Sequence, residues 1–124
     1  MSEWTHRQRV FKTAWFAKAA KKERIPESEL RAITREILRG QADDLGGGVF
    51  KKRLHRNMHR AIVVAKGRRF WIFTYLFAKK DRANIDDAEL AAFKKLAALY
   101  GGKSEDDIEC EIAAGELVEV HNDR

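Results

Sequence analysis

The sequence predicts an α+β domain: an N-terminal strand and helix hairpin packed on one face of a small, mostly antiparallel sheet, with further helices at the C-terminal end. Three observations predict it. Apolar residues recur at helical spacing over residues 14–39 and again over 86–100. Between these stretches, residues 49–78 hold three strand-like runs separated by short turns, the pattern of a meander. A single proline and the lack of repeats or low-complexity segments leave no place for a linker, so residues 1–124 read as one domain.

The elements follow in order. Residues 9–13 read as a short edge strand. Thr13 suits the N-cap of a helix from residue 14 to about 24, with Trp15, Phe16, Ala19 and Ala20 on its apolar side. Pro26 suits the first turn of a second helix ending near Arg39, in which Leu30, Ile33, Ile37 and Leu38 mark one buried face. Gly40 is its stop signal. The triplet Gly46-Gly47-Gly48 breaks regularity and opens a strand from residue 49 to about 55. A tight connection at 56–58 leads to a strand over 60–65, Lys66-Gly67 makes a turn, and residues 70–78 form the third strand. That last run, FWIFTYLFA, is apolar on both faces and marks a central strand covered on both sides. Asp86 and Glu89 have the spacing of a capping box. The helix it opens places Leu90, Phe93, Leu96, Ala97 and Tyr100 together and stops at Gly101-Gly102. A weak helix over 105–114, Gly115 and a strand-like ELVEV close the chain. With the helices on one face, the other sheet face is left over as the candidate site.

Composition narrows the class. Apolar residues make up 44% of the chain and twelve residues are aromatic, enough for a core at this length. No apolar run approaches the roughly 18 residues of a membrane span, and the start, MSEWTHRQRV, has no apolar stretch of signal-peptide type. The single Cys110 cannot close an internal disulfide. A cytoplasmic protein without a membrane partner is expected. The net charge is +6, unevenly spread: residues 49–82 carry eleven Lys or Arg against one acid, Asp81, whereas residues 103–124 carry two bases against eight acids. A basic middle suits a polyanion such as nucleic acid. A solubilising face explains clustered charge equally well.

The basic segment is FKKRLHRNMHR, residues 50–60, with five Lys or Arg and two His. Strand alternation puts Phe50, Lys52 and Leu54 on the core side and Lys51, Arg53 and His55 on the free side. Lys52 is the misfit, a lysine in a core-facing slot, to be resolved by snorkelling to an edge or by a bulge. Arg60 opens the next strand, and Lys79, Lys80 and Arg82 follow the central one. Lys51, Arg53, Arg60, Lys80 and Arg82 thus converge on one face, where mutual repulsion is costly unless an anion fills it. RNA can be cut without metal when its 2′-OH attacks the adjacent phosphate. Arg and Lys stabilise the charge that develops on the phosphate. A lysine crowded by other cations gives up its proton more readily and can act as base. Histidine titrates near neutrality, which makes His55 and His59 candidates as well.

Plainer readings stand beside these. His55 and His59 fit an exposed hairpin, Lys66, Arg68 and Arg69 are ordinary turn charges, and Asp86 is a helix cap. Trp71, Phe73, Tyr75 and Phe77 read as core, with Tyr75 reaching a ligand only if its ring faces the open side. Trp4 and Trp15 read as packing beneath the N-terminal helix, and Cys110 as an inert thiol. No Cys/His or Asp/Glu set has metal-ligand spacing, so neither a metal nor another cofactor is expected. The glycine triplet lacks the P-loop and dinucleotide patterns.

D-L-G-G-G-V-F-K-K-R at residues 44–53, F-A-K-K-D-R-A-N-I at 77–85 and A-G-E-L-V-E-V at 114–120 resemble the RelE superfamily of bacterial type II toxin–antitoxin toxins, in its RelE/HigB-like branch. The similarity runs from about Phe11 to Val120. It implies a RelE-like fold and a metal-independent endoribonuclease that cleaves mRNA in the ribosomal A site, leaving a 2′,3′-cyclic phosphate. It implies as partners mRNA, the ribosome and a separate antitoxin with a DNA-binding part. The family's basic positions fall on Lys51, Arg53, Arg60, Lys80 and Arg82, and Lys52, Arg56, His59 and Lys79 complete the expected RNA-contacting set. The chain departs from the family pattern at two points. A tyrosine of RelE falls on Asp86, and a Gly- and Lys-rich hairpin insert is replaced by His55-Arg56-Asn57-Met58-His59. Because some relatives use histidine, His55 joins the expected catalytic set. The alternatives are a protein of the same RelE/ParE fold that binds a protein target or antitoxin without cleaving RNA, and a toxin that keeps binding alone.

Overall fold

The computed structural model describes residues 8–67 and 69–120; Trp4 and Arg68 lie outside them. Strand β1 (Arg9–Thr13) runs straight into helix α1 (Ala14–Lys22), and the Thr13 hydroxyl caps that helix by accepting from the Phe16 N–H at 3.0 Å. The helix ends before residue 24 because Arg24 takes a left-handed φ of 60°, and the Ile25 N–H reaches back to the Ala20 carbonyl. Helix α2 (Glu27–Leu38) starts after Pro26 and buries Leu30, Ile33, Thr34 and Ile37.

Strand β2 (Asp43–Gly46) is an element that sequence did not reveal, since DDLG has poor strand propensity. The glycine triplet is therefore a hairpin turn between β2 and β3 (Val49–Leu54), not a mere preface to β3. Its three residues have φ of 90°, 62° and 83°, a run of left-handed conformations that glycine adopts without steric cost. The meander continues through β4 (His59–Lys66) and β5 (Phe70–Ala78), followed by α3 (Asp87–Gly101), α4 (Glu105–Ala113) and β6 (Leu117–Glu119).

The six strands are ordered β2-β3-β4-β5-β1-β6. β1 is parallel to β5 and antiparallel to β6. It is therefore an interior strand, not the edge strand expected. The three residues of β6 cover its outer side, where Arg9 bonds Glu119 at 2.9 Å and Glu109 at 3.0 Å.

Helices cover both faces, which corrects the expectation of a single helical layer. Val10, Leu54, Ala61, Val63, Phe73 and Leu76 pack with Phe16, Leu30, Ile33 and Ile37 of α1 and α2. Phe11, Val49, Ile62, Val64, Ile72 and Phe77 pack with Ala97, Tyr100 and Ile108 of α3 and α4. The cause is visible in β4, where Ala61-Ile62-Val63-Val64 is apolar at every position and needs cover on both sides.

One irregularity positions the site. Ile62 pairs with Tyr75 but Val63 with Phe73, so Thr74 is an extra residue bulged out of β5. Its hydroxyl donates to the Ile62 carbonyl at 2.9 Å. The bulge reverses alternation: Phe70 and Ile72 face α3 before it, and Tyr75 and Phe77 face α3 after it.

Candidate functional site

Lys51 and Arg53 follow Val49 at period two, and Arg60 stands directly opposite Arg53 across the ladder. Val49 and Ile62 belong to the core beneath α3, so the three cations project from that same sheet face. The face is therefore covered by α3 over part of its length and open only toward the tip of the β3–β4 hairpin. β2 pairs with β3 no further than Lys51, which leaves Lys52, Arg53 and Leu54 without an outer strand among the described residues. A groove of about 410 Å³ opens there, lined by Gln41, Ala42, Asp43, Lys51, Lys52 and Arg53 among others.

The turn after β5 reaches the same end of the sheet. The Lys79 N–H donates to the Met58 carbonyl in the hairpin at 2.8 Å, and Lys79 and Lys80 are both exposed there. Arg82 comes back over the α3 face, with its guanidinium carbon 5.6 Å from the centre of the Phe77 ring. Phe77 is the cross-strand partner of Arg60, so Arg82 and Arg60 flank one patch.

These cations differ in their partners. Arg82 is bound through two nitrogens to the Glu89 carboxylate, which holds the guanidinium charged, with Tyr75 adding to the effect. Lys51, Arg53, Arg56, Arg60, Lys79 and Lys80 have no carboxylate at ion-pair distance among the described residues. Arg60 Nη1 instead donates to the carbonyls of Asn57 at 3.0 Å and His59 at 3.1 Å, which fixes its head at the hairpin.

Lys52 faces the other way, as alternation requires. Its ammonium snorkels to Glu36 of α2 at 2.7 Å and donates to the Gln41 carbonyl at 2.7 Å. The misfit lysine is thus an anchor between β3 and α2, on the face opposite to Lys51 and Arg53.

The histidines correct a reading. The β3–β4 ladder ends at Leu54, and His55, Arg56 and Asn57 all take left-handed φ of 56°, 56° and 66°. Strand alternation therefore does not extend to His55. Its backbone N–H donates to the Glu29 carboxylate of α2, and its Nδ1 lies 3.3 Å from the other Glu29 oxygen. His59 pairs with Leu54, on the face of α1 and α2, with Nε2 3.2 Å from Glu23. It is buried, and its Nδ1 has no hydrogen-bond partner among the described residues. Neither imidazole is brought to the face that carries Lys51, Arg53 and Arg60.

Asp86 is the N-cap of α3. Its carboxylate accepts from the Glu89 N–H at 2.8 Å, and Glu89 accepts from the Asp86 N–H at 2.8 Å. Arg82 first, then that backbone N–H, holds the Glu89 carboxyl below the usual carboxylate range. The position where the family resemblance puts a tyrosine is committed to starting a helix.

Sequence reasoning read Tyr75 as core unless its ring faced the open side, and treated Trp15 as packing beneath the N-terminal helix. The Thr74 bulge brings Tyr75 to the α3 face, with its ring 5.8 Å from that of Phe77 and 5.9 Å from that of Phe93. FWIFTYLFA gives no signal of the bulge, because both alternation phases are apolar. Trp15 is 51% exposed. Cys110 is exposed. Among the described residues no group of three His, Cys, Asp or Glu is placed to hold a metal ion, and no helix is long and apolar enough to cross a membrane.

The family model described as the RelE toxin of the RelE/RelB toxin–antitoxin system matches residues 8–120. No curated protein and no solved structure matches the chain.

Proposed function

This chain belongs to the RelE toxin family, a membership that brings an antitoxin as partner, and from that premise we propose that it is a metal-independent endoribonuclease acting on mRNA in the ribosomal A site. The observation that carries the proposal is the Arg53–Arg60 pair. Two like charges stand directly opposite each other on neighbouring strands, with no carboxylate at ion-pair distance from either among the described residues. Such a pair disfavours the sheet, and a phosphodiester between the two heads relieves it.

In the reaction the 2′-oxygen of one nucleotide attacks the adjacent phosphorus and the bond to the 5′-oxygen of the next nucleotide breaks. The products are a 2′,3′-cyclic phosphate and a free 5′-hydroxyl. One proton leaves the 2′-OH and one arrives on the departing oxygen. Arg53 and Arg60 stabilise the charge that grows on the phosphate oxygens, because fixed cations act most strongly where charge develops. Lys51 and Lys80 are the side chains assigned to the two proton transfers. Lys79, Arg56 and Arg82 extend the positive surface along the strand, outside the reacting centre. Lys52, His55 and His59, on the opposite face, serve the fold.

The test is induction of wild type, Arg53→Ala and Arg60→Ala in cells, followed by mapping of mRNA ends. Cuts phased with codons in the wild type and lost in both variants are expected. A second reading, a non-cleaving member that arrests growth by binding a protein, is favoured by one observation: Asp86, in the place of the family tyrosine, is used up as a helix cap. Growth arrest with intact mRNA would select it.

A further inference from the structure

A second cleft, of about 480 Å³, opens beside the half of β5 that β1 does not reach. β1 pairs with β5 only as far as Phe73, and the chain then turns away into α1. The cleft sets Trp15, Lys18 and Lys22 of α1 against Tyr75, Phe77 and Arg82, and the buried His59 is also in its lining. The spacing of Trp15, Lys18 and Lys22 sets them on one stripe of the helix.

Three features of this cleft point to one chemistry. The Trp15 ring is half exposed, and it lies 5.2 Å from the Tyr75 ring in a tilted pair with 31° between planes. Lys18 and Lys22 have no carboxylate partner among the described residues. Two acids, Glu23 and Asp81, also line the cleft, neither at ion-pair distance from Lys18 or Lys22; Glu23 lies 3.2 Å from His59. A flat aromatic surface beside free cations is how single-stranded nucleic acid is held without reading its sequence, one component for the base and one for the phosphate. The cleft is also continuous with the cationic patch, since Phe77 and Arg82 border both.

We propose that the Trp15–Tyr75 cleft is a single-stranded RNA subsite that stacks a base flanking the scissile phosphate, while Lys18 and Lys22 hold the neighbouring phosphate. This rests on the RNA-cleaving reading and adds to it a second contact, remote from the reacting centre, that sets affinity and path.

The experiment measures cleavage of a short mRNA on programmed ribosomes by wild type, Trp15→Ala, Trp15→Phe, the double variant Lys18→Ala/Lys22→Ala, and Arg60→Ala. Trp15→Ala is expected to raise KM about 5- to 150-fold, the range spanned by base–aromatic stacking, with kcat retained. Trp15→Phe is expected to recover most of that loss, and the lysine variant to weaken the salt dependence of KM. Arg60→Ala is expected to lower kcat instead. An unchanged KM for Trp15→Ala, with Arg60→Ala inactive, overturns the subsite and leaves the cleavage reading intact. A wild type that cuts nothing overturns both. A Trp15→Ala protein that keeps its KM but loses affinity for the purified antitoxin assigns the cleft to a protein partner and overturns the proposal. Because Trp15 is half exposed, Trp15→Ala leaves the core intact, and the lysine variant reads the same subsite without touching an aromatic ring.

Discussion

Arg53→Gln is expected to make the protein more stable and less active. Arg53 and Arg60 are cross-strand neighbours, and like charges so placed cost roughly 0.2–1 kcal/mol relative to a neutral pair. Arg53 is exposed and makes no hydrogen bond or ion pair among the described residues, so its removal isolates the repulsion. Arg60 does not offer that isolation, because its two bonds to the Asn57 and His59 carbonyls are worth about 0.5–1.5 kcal/mol each and are lost with it. A gain of about 0.5 kcal/mol at position 53 corresponds to a rise of about 2 °C in Tm for a domain of this size. The repulsion is electrostatic and solvent-accessible. It should therefore fade in about 1 M salt, where the Debye length of about 3 Å is shorter than the separation of opposed side chains. Thermal melts of wild type and Arg53→Gln at low and at high salt read this directly, and the same preparations are assayed for mRNA cleavage. Loss of one fixed charge donor is expected to cut the rate about 10²- to 10³-fold. A variant that melts lower at low salt, or a gain that persists unchanged at high salt, would show that the two arginines do not repel. The inference that the face awaits a phosphate would then lose its basis.

Three further outcomes follow from the same geometry. Glu89 is held below the usual carboxylate range by Arg82 and the Asp86 N–H, so its bonds stabilise the fold above the ordinary carboxylate pKa of about 4.3 and are lost as pH falls through its lower folded value. Glu89→Gln should accordingly destabilise at neutral pH, and the gap from wild type should close in acid, as followed by urea melts across pH. Combined His55→Ala and His59→Ala should cost about 1–3 kcal/mol, because both tie the hairpin to Glu29 and Glu23 of the helical layer. Cleavage per folded molecule should persist, since neither ring is on the cationic face; a folded but inactive variant would return the histidines to the chemistry. Gly47→Ala should cost about 1–2 kcal/mol in denaturant, because φ is +62° and the new Cβ would meet the Lys94 side chain at 2.8 Å.

Local signals carried most of the elements, and non-local ones carried what was missed. The Thr13 cap, the Asp86–Glu89 box and the apolar stripe of α2 depend on residues a turn or two apart, and each was legible. The span of β5 was legible too, because it is a long apolar run bounded by turns. The place of β1 was not: whether a five-residue strand is at the edge depends on β6, more than a hundred residues away. The covered second face was hinted at by the apolar run of β5 and then set aside, although β4 repeats the same message. The site followed the same division. Alternation placed Lys51, Arg53 and Lys52 on their observed faces, because all three lie within the regular ladder. It failed at His55, one residue past the last paired position, and could not detect the bulge that turned Tyr75 toward the cations.

The distribution of carboxylates argues that the hairpin tip is charged for something outside the chain. The acid-rich C-terminal segment is spent close to home: Glu105 pairs with Arg69, Glu109 and Glu119 with Arg9, and Glu111 with Lys103. Glu36 takes Lys52, Glu27 takes Lys12 and Glu89 takes Arg82. Exposed pairs of this kind add little stability each, so their absence at one place cannot be explained by the fold's need for them elsewhere. Yet Lys51, Arg53, Arg56, Arg60, Lys79 and Lys80 share one end of the sheet without an ion pair among the described residues, and Asp43, opposite Lys51 in the β2–β3 ladder, is the carboxylate that borders them. A carboxylate there would relieve the repulsion between Arg53 and Arg60 and would also compete with any phosphate for both heads. Keeping carboxylates beyond ion-pair reach of Arg53 and Arg60 leaves that pair repulsive in the free protein and complementary to a polyanion, as the proposed phosphate contact requires.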